Sequence, residues 1–419
     1  MFQKRISEYH WKLVQFSLIF FAFSLPFSIK LSNIVLAVMA SLLLLRFDIF
    51  NRIWGIRKNS LIVAFILLFV MYGISIIWSI NNRTAFFTLE KHLALVIIPI
   101  TIAANFDKIS YKLINQLLGA FVFGIFASYT FLIFTFATLS QNDHTLTLSY
   151  FFRELAVKYI QLHPTYLAMY TVFSVSILLI WLVQSSFKWQ SLLYILAAVL
   201  LSVLSILTGA RMPLVALLLI LILFVFLALQ NAKHLKIATL ISGTILLLNL
   251  YIAPKFDVIN ARIKEIKETP LTPPLGIHFN SINLRVAQLL CSKQLIMSSW
   301  ILGVGIGDVQ DELNNCYCEN NWSPALYERN YNAHNQYLQT FIGTGILGLL
   351  LFMGLLFIPL WYSFKVKNYL LAILVIIFSF CCLTESMLEK NKGIVFYTFF
   401  SMILLANTKK DNISNLHSF

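Results

Sequence analysis

Residues 331–364 read YNAHNQYLQTFIGTGILGLLLFMGLLFIPLWYSF. From Asn335 to Ser363 no residue is charged. About 20 apolar residues suffice to cross a bilayer as a helix, and this run exceeds that. His334 and Asn335 stand at its lip, and Gly343, Gly345 and Gly348 follow within it. The rest of the chain repeats the pattern. Of its 419 residues 59% are hydrophobic and 11% are charged, and the mean hydropathy is +0.81. Soluble domains carry about 25% charged residues, so that class is excluded. Twelve candidate spans lie near 13–29, 31–47, 60–80, 86–104, 113–139, 163–184, 190–208, 211–229, 236–253, 335–363, 369–384 and 393–407. The fourth is interrupted by Glu90, Lys91 and His92. The expected fold is an all-α integral membrane protein of about 12 transmembrane helices. No cleavable signal peptide is expected, because the first apolar stretch is long and more follow.

The net charge of +14 is distributed by topology rather than gathered for nucleic acid. With a cytoplasmic N-terminus, the inside segments hold sixteen of the thirty-one Lys and Arg: Lys4, Arg5, Lys12, Arg46, Arg52, Arg57, Lys58, Lys108, Lys112, Lys188, Lys233, Lys236, Lys365, Lys367, Lys409 and Lys410. Short outside segments hold eight, including Lys390 and Lys392, and the last seven lie in one long loop. That bias predicts both termini inside. Trp11, Trp54, Trp78, Trp181, Trp189 and Trp361 fall near span ends, as an interfacial belt does. The chain thus divides into nine spans over 1–253, a polar outside loop with short helices over 254–334, and three spans with a cytoplasmic tail over 335–419. Within the loop a helix is expected from about Asn283 to Ser299, then a turn at GVGIGD (303–308). A second outside segment, 140–162, reads as an amphipathic helix lying on the membrane surface.

Cys291, Cys316 and Cys318 lie in the long loop, and Cys381 and Cys382 in a span. Cys291 has two partners within reach for a disulfide, and spacing leaves the choice between Cys316 and Cys318 open. Without a C-x-x-C pair no metal site is expected.

Ionisable groups at span ends are the informative ones, since membrane segments tolerate few. Arg211 opens the eighth span in LTGARMPL, where a helix N-terminus and a guanidinium together favour an anion. His163 opens the sixth ahead of Pro164, an arrangement that also suits a plain helix cap. Arg285 sits in the loop helix, and Glu385 follows the eleventh span. On an ideal helix Gly345 lies about 20° and Gly348 about −40° from His334, with Gly343 opposite. Those two glycines are therefore expected to let a helix or lipid chain pack closely below the histidine. Spans six, eight and ten run in one direction, so Arg211, His163 and His334 meet one membrane surface. Such a cationic cluster suits an anionic lipid head group, pyrophosphate above all.

The ordered set resembles the O-antigen ligase family of integral membrane glycosyltransferases. That family's pattern is His, then Asn, Ser or Gln, nine residues, then Gly-x-x-Gly. Here it is His334-Asn335, nine residues, and Gly345-Ile346-Leu347-Gly348. Gly209-Ala210-Arg211, Arg285 with GVGIG downstream, and the segment around Glu385 are similar too. The resemblance implies a GT-C-like architecture in the bacterial inner membrane with one large periplasmic loop. It implies a metal-independent, inverting transfer of a glycan from undecaprenyl pyrophosphate to a sugar hydroxyl of lipid A–core, with no cofactor. Arg211 and Arg285 would stabilise the leaving pyrophosphate, and His334 would orient or deprotonate the acceptor. Asn335, His163, Glu385 and Tyr331 would contact substrate. An O-antigen polymerase or a protein O-oligosaccharyltransferase uses the same donor type. A lipid-linked sugar transporter is the reading from another class, but it would place charges at the bilayer midplane.

Overall fold

A computed structural model describes residues 2–44, 59–185, 188–229 and 234–414 of the chain. All regular structure among them is helical. Helices or helix pairs lie over the apolar stretches: α1 (Phe2–Ser24), α2 (Ile29–Leu44), α3 (Ser60–Ser75), α4 (Asn82–His92) with α5 (Ala94–Ala103), α6 (Tyr111–Ser140), α7 (Pro164–Gln184), α8 (Lys188–Leu207), α9 (Arg211–Leu229) and α10 (His234–Ile252). The polar segment contributes α11 (Asp257–Glu268), α12 (Ser281–Ser299) and α13 (Val309–Glu319); α14 (Gln336–Lys365), α15 (Tyr369–Cys382) and α16 (Asn391–Ser414) follow. The count of twelve spans is not reached by length and composition. Among the described residues six helical stretches are long and apolar enough, or seven if the bent pair Ser242–Lys255 and Ile259–Glu268 is one span. Ile29–Leu42, Arg211–Phe224, Tyr369–Cys382 and Asn391–Ala406 are apolar but shorter. The chain is a multi-pass membrane protein by these helices.

The charge and tryptophan expectations reach partly beyond this description. Arg46, Arg52, Trp54, Arg57, Lys58 and Lys233 lie outside the described residues, as do the side chains of Lys4, Arg5, Lys188, Lys236, Lys409 and Lys410. Lys392 is not the loop charge its position suggested: it is 4% exposed, and its ammonium donates to the Leu25 carbonyl.

α7 is the hub. Its residues from Pro164 to Leu179 are all buried, and it packs against α6, α8, α9 and α15. Aromatic rings knit this centre: Phe121 of α6, Tyr170 and Phe173 of α7, and Phe396 and Phe400 of α16 meet with centroids 4.6–5.9 Å apart. Lipid is as apolar as the core, so close packing and ring contacts of roughly 0.5–1.5 kcal/mol each hold such helices together. The fourth stretch breaks where its charges suggested. The backbone turns at Leu93, and His92 is fully buried against Tyr72, ring centroids 4.4 Å apart. The segment 140–162 holds short helical turns around a π-helical stretch at Phe151–Leu155. Phe151 and Phe152 are buried against Phe136 and Tyr129, so these two rings cover the bundle.

The polar segment has its own small core of Leu284, Ala287, Leu313, Tyr317 and Leu326. The disulfide is Cys291–Cys316, Cα atoms 5.9 Å apart, and Cys318 is exposed and free. Its link to the bundle corrects the ideal-helix view of the glycines. α14 is broken at Gly345, whose φ of 65° and ψ of −163° lie outside any helix. The 300–305 loop enters that break. Val304 and Gly305 donate to the Ile342 and Gly343 carbonyls at 2.8 and 3.1 Å, and Ile346 donates to Trp300 at 2.9 Å. A Cβ on Gly345 would strike the Ile301 carbonyl, and one on Gly303 the Ile342 carbonyl. Gly345 thus makes room for a loop backbone, not for a helix or lipid chain. Gly348 makes room for the Thr344 side chain below it. On the loop's other side Asp308 accepts from Ile80 and Asn81 at 2.7 Å each, at the start of α4.

Two outcomes follow. Gly345→Ala costs about 1–3 kcal/mol of stability through its positive φ alone, with the carbonyl clash added, read as a lower melting temperature in detergent. Among loop cysteines only Cys318 labels with a maleimide before reduction; reductant under denaturing conditions adds two thiols.

Candidate functional site

The N-terminal ends of α7, α9 and α14 and the turn after α15 meet beneath α12. Each end is shaped locally. His163 caps α7, its Nδ1 accepting from Thr165 at 3.4 Å, with Pro164 in the first turn. Asn335 caps α14, its carbonyl accepting from Leu338 at 3.1 Å. Asn280 caps α12 in a reciprocal box with Asn283, which sets Ser281 as the first helical residue and Arg285 one turn on.

Glu385 is the centre. One carboxylate oxygen lies 3.2 Å from His334 Nδ1, and the other 3.8 Å from Arg285 Nη2. Burial opposes its ionisation, but His334, then His163 and Arg285, outweigh that and hold its carboxyl below the ordinary glutamate range. His334 Nδ1 has no hydrogen-bond partner beyond this contact. Its backbone sits in the left-handed region, φ 43°, a conformation that costs a non-glycine residue energy and is held by its surroundings. Those surroundings are a three-point stitch between 332–336 and 383–388. Asn335 Nδ2 donates to the Leu383 carbonyl at 3.1 Å, Ser386 Oγ to Asn332 Oδ1 at 3.3 Å, and Leu388 N to Gln336 Oε1 at 2.6 Å. Gln336 is fully buried and donates to Thr340 Oγ1 at 2.9 Å. Tyr331 stands beside the imidazole, ring centroids 5.6 Å apart.

The arginines join through Ser281. Arg285 donates to the Ser281 carbonyl and to the Thr384 carbonyl, at 3.3 Å each. Arg211 Nη2 lies 3.1 Å from Ser281 Oγ and 2.5 Å from Glu265. Glu265 also pairs with Arg262 at 3.0 Å.

The structure therefore brings Arg211, Arg285, His334, Glu385, His163 and Tyr331 into one cluster. The Asn335 amide is engaged at both ends within the chain. Glu265, Arg262, Ser281 and Gln336 were not singled out in the sequence. The first two read as ordinary loop charges, and only the i, i+3 spacing of Arg262 and Glu265 hinted at a pair. No group of three or more metal-ligating side chains occurs among the described residues. A cavity of about 460 Å³ lies at the other end of the bundle, lined by residues such as Leu118, Trp181 and Ile373, and no candidate residue touches it.

The family model described as O-antigen ligase matches residues 196–353. The match takes in Arg211, Arg262, Glu265, Arg285, His334 and the Gly345–Gly348 motif, and leaves His163 and Glu385 outside. A search of curated proteins finds no match.

Because its folded carboxyl titrates below the unfolded value, Glu385 contributes stability above the unfolded pKa and loses it as pH falls through the folded one. The melting-temperature gap between wild type and Glu385→Gln is thus widest near neutral pH and closes as pH falls below the ordinary glutamate range; a gap unchanged across that fall contradicts the pairing.

Proposed function

We propose a ligase-type glycosyltransferase, on the premise of the match of the family model described as O-antigen ligase to residues 196–353. It moves a glycan from undecaprenyl pyrophosphate to a sugar hydroxyl of lipid A–core, at the periplasmic face of the bacterial inner membrane. In this reading the helices form twelve spans of a GT-C-like fold, with both termini cytoplasmic and residues 254–334 periplasmic. The observation that carries it is the single carboxylate of Glu385 held between His334 and Arg285.

The chemistry follows from that contact. A carboxylate facing Nδ1 fixes the proton there and leaves Nε2 bare, as orienting acids do for catalytic histidines. Nε2 takes the proton of the acceptor hydroxyl as its oxygen attacks the anomeric carbon. The bond from that carbon to the phosphate oxygen breaks on the opposite face, so the configuration inverts, and the pyrophosphate leaves with the electron pair. Arg211 and Arg285 face the negative charge that grows on it, and such charge-directed donors are worth about 10²–10³ in rate each. The step needs no metal. His163 and Tyr331 line the same end and contact the sugars.

The test is transfer by purified protein in detergent, with lipid-linked glycan as donor and either core lipid or a second lipid-linked repeat as acceptor. We expect product on the core sugar. Product only on the repeat reassigns the chain to polymerisation, and no product on either removes the reading. His334→Ala and Glu385→Gln lower kcat by roughly 10²–10⁴ while KM for the donor changes little; Arg285→Ala lowers kcat and raises donor KM.

A further inference from the structure

Glu265 is held in an unusual way for a loop carboxylate. One oxygen meets Arg211 Nη2 at 2.5 Å and Arg262 Nη1 at 3.0 Å. The other accepts from Ser281 N at 2.9 Å and Ser281 Oγ at 2.6 Å. Two guanidiniums, a hydroxyl and the first amide of a 19-residue helix thus converge on one anion. These are the donors that recognise phosphate, arranged around a carboxylate of the same chain. Burial opposes ionisation of Glu265, but Ser281, Arg262 and Arg211 outweigh that and keep its carboxyl below the usual range. The Nε atoms of both Arg262 and Arg285 are buried without a partner, so the cluster has donors to spare.

The helix that carries Glu265 is lightly held. α11 packs chiefly on the turns at 253–255 and 148–150. Ile263 and Ile266 are 44% and 57% exposed, so it buries little of its apolar face. Pro254 precedes it and TPLTPP (269–274) follows. Its ties to α9 and the start of α12 run through Glu265.

We propose that Arg211, Arg262 and Ser281 form a phosphate subsite, and that Glu265 occupies it as an internal stand-in until a pyrophosphate displaces it. The ligand class is a pyrophosphate monoester, or pyrophosphate itself. The inference rests on the donor assigned above and adds to it Arg262, Ser281 and a resting state. Displacement exchanges one carboxylate for a group with more negative charge and more acceptors. It frees the Glu265 side chain while Arg262, on the same helix, stays in place, with no covalent bond made or broken.

If the carboxylate fills the site nine-tenths of the time, its removal tightens apparent binding about tenfold. The experiment titrates full-length protein in detergent with inorganic pyrophosphate and, separately, with undecaprenyl pyrophosphate, by calorimetry. Glu265→Gln, which keeps the shape but lowers the competing charge, is expected to bind both about tenfold more tightly. Glu265→Ala should do the same, and Arg262→Gln should bind both at least tenfold more weakly. Melting temperatures confirm that each variant is folded. Folded Glu265 variants that bind no more tightly, or an Arg262 variant that binds equally well, overturn the proposal. A loss in Arg262→Gln confined to inorganic pyrophosphate overturns it as a donor subsite. These readings need no acceptor. A wild type that shows the pattern yet transfers no glycan removes the proposed reaction and leaves the subsite standing.

Discussion

Three backbone hydrogen bonds across the break in α14 decide where the polar segment sits. Val304 and Gly305 hold the end of the first half-helix, and Ile346, at the start of the second, reaches Trp300. Backbone bonds shielded from water are short-range and directional, and a buried amide left unpaired is costly. The 300–305 loop therefore has one seat. α12 ends at Ser299, directly before it, so seating the loop also places the helix that carries Arg285. The same loop runs on to Asp308, which fastens the start of α4 through two amides. A small core and the Cys291–Cys316 bond stiffen the segment so that position is transmitted to its far end.

From that placement the site assembles in two halves. One is the stitch of 332–336 to 383–388, which forces His334 into its left-handed backbone and sets it against Glu385. The other is the Ser281 corner, where Arg211 of the bundle and Arg285 of the polar segment meet. Glu385 touches both halves. A carboxylate set between an imidazole and a guanidinium is stable as an ion only while both stay near, so its lowered pKa is a sign of the assembled site. The stitch also explains why a histidine over a membrane span tolerates strain: its neighbours at 332, 335 and 336 are each fixed by the opposite turn.

Much of this was legible before the structure, and the limits are physical. Long apolar runs gave the helices, because hydropathy reads burial directly. Caps were legible at His163-Pro164 and Asn335, since they depend on two or three adjacent residues. The residues that meet at one end followed from parallel helix directions. What failed were features set by contacts far apart in sequence. Extending an ideal helix through Gly345 assigned the glycines to helix packing, because the 100° rule cannot see a loop 40 residues upstream entering the helix. Spacing could not choose between Cys316 and Cys318, whereas the packing of α12 on α13 does. Glu265, and Arg262 paired with it, looked like solvated charge because the distant partner of Glu265, Arg211, lies more than 50 residues away.

The two carboxylates do different work under one rule. Burial weakens the hold of Arg285 on its proton and nearby Arg262 weakens it further, so a cluster of three guanidiniums, Arg211, Arg262 and Arg285, repels itself when empty. Glu385 relieves the strain permanently, since it is fixed by the turn after α15. Glu265 relieves it from a helix that buries little and is flanked by prolines. A site that must receive a strongly charged leaving group needs excess positive charge at that moment and neutrality before it. A fixed carboxylate cannot supply both states; a movable one can. In the proposed reaction, that difference in anchoring, rather than any difference in chemistry, is what assigns Glu385 to the acceptor histidine and Glu265 to the phosphate.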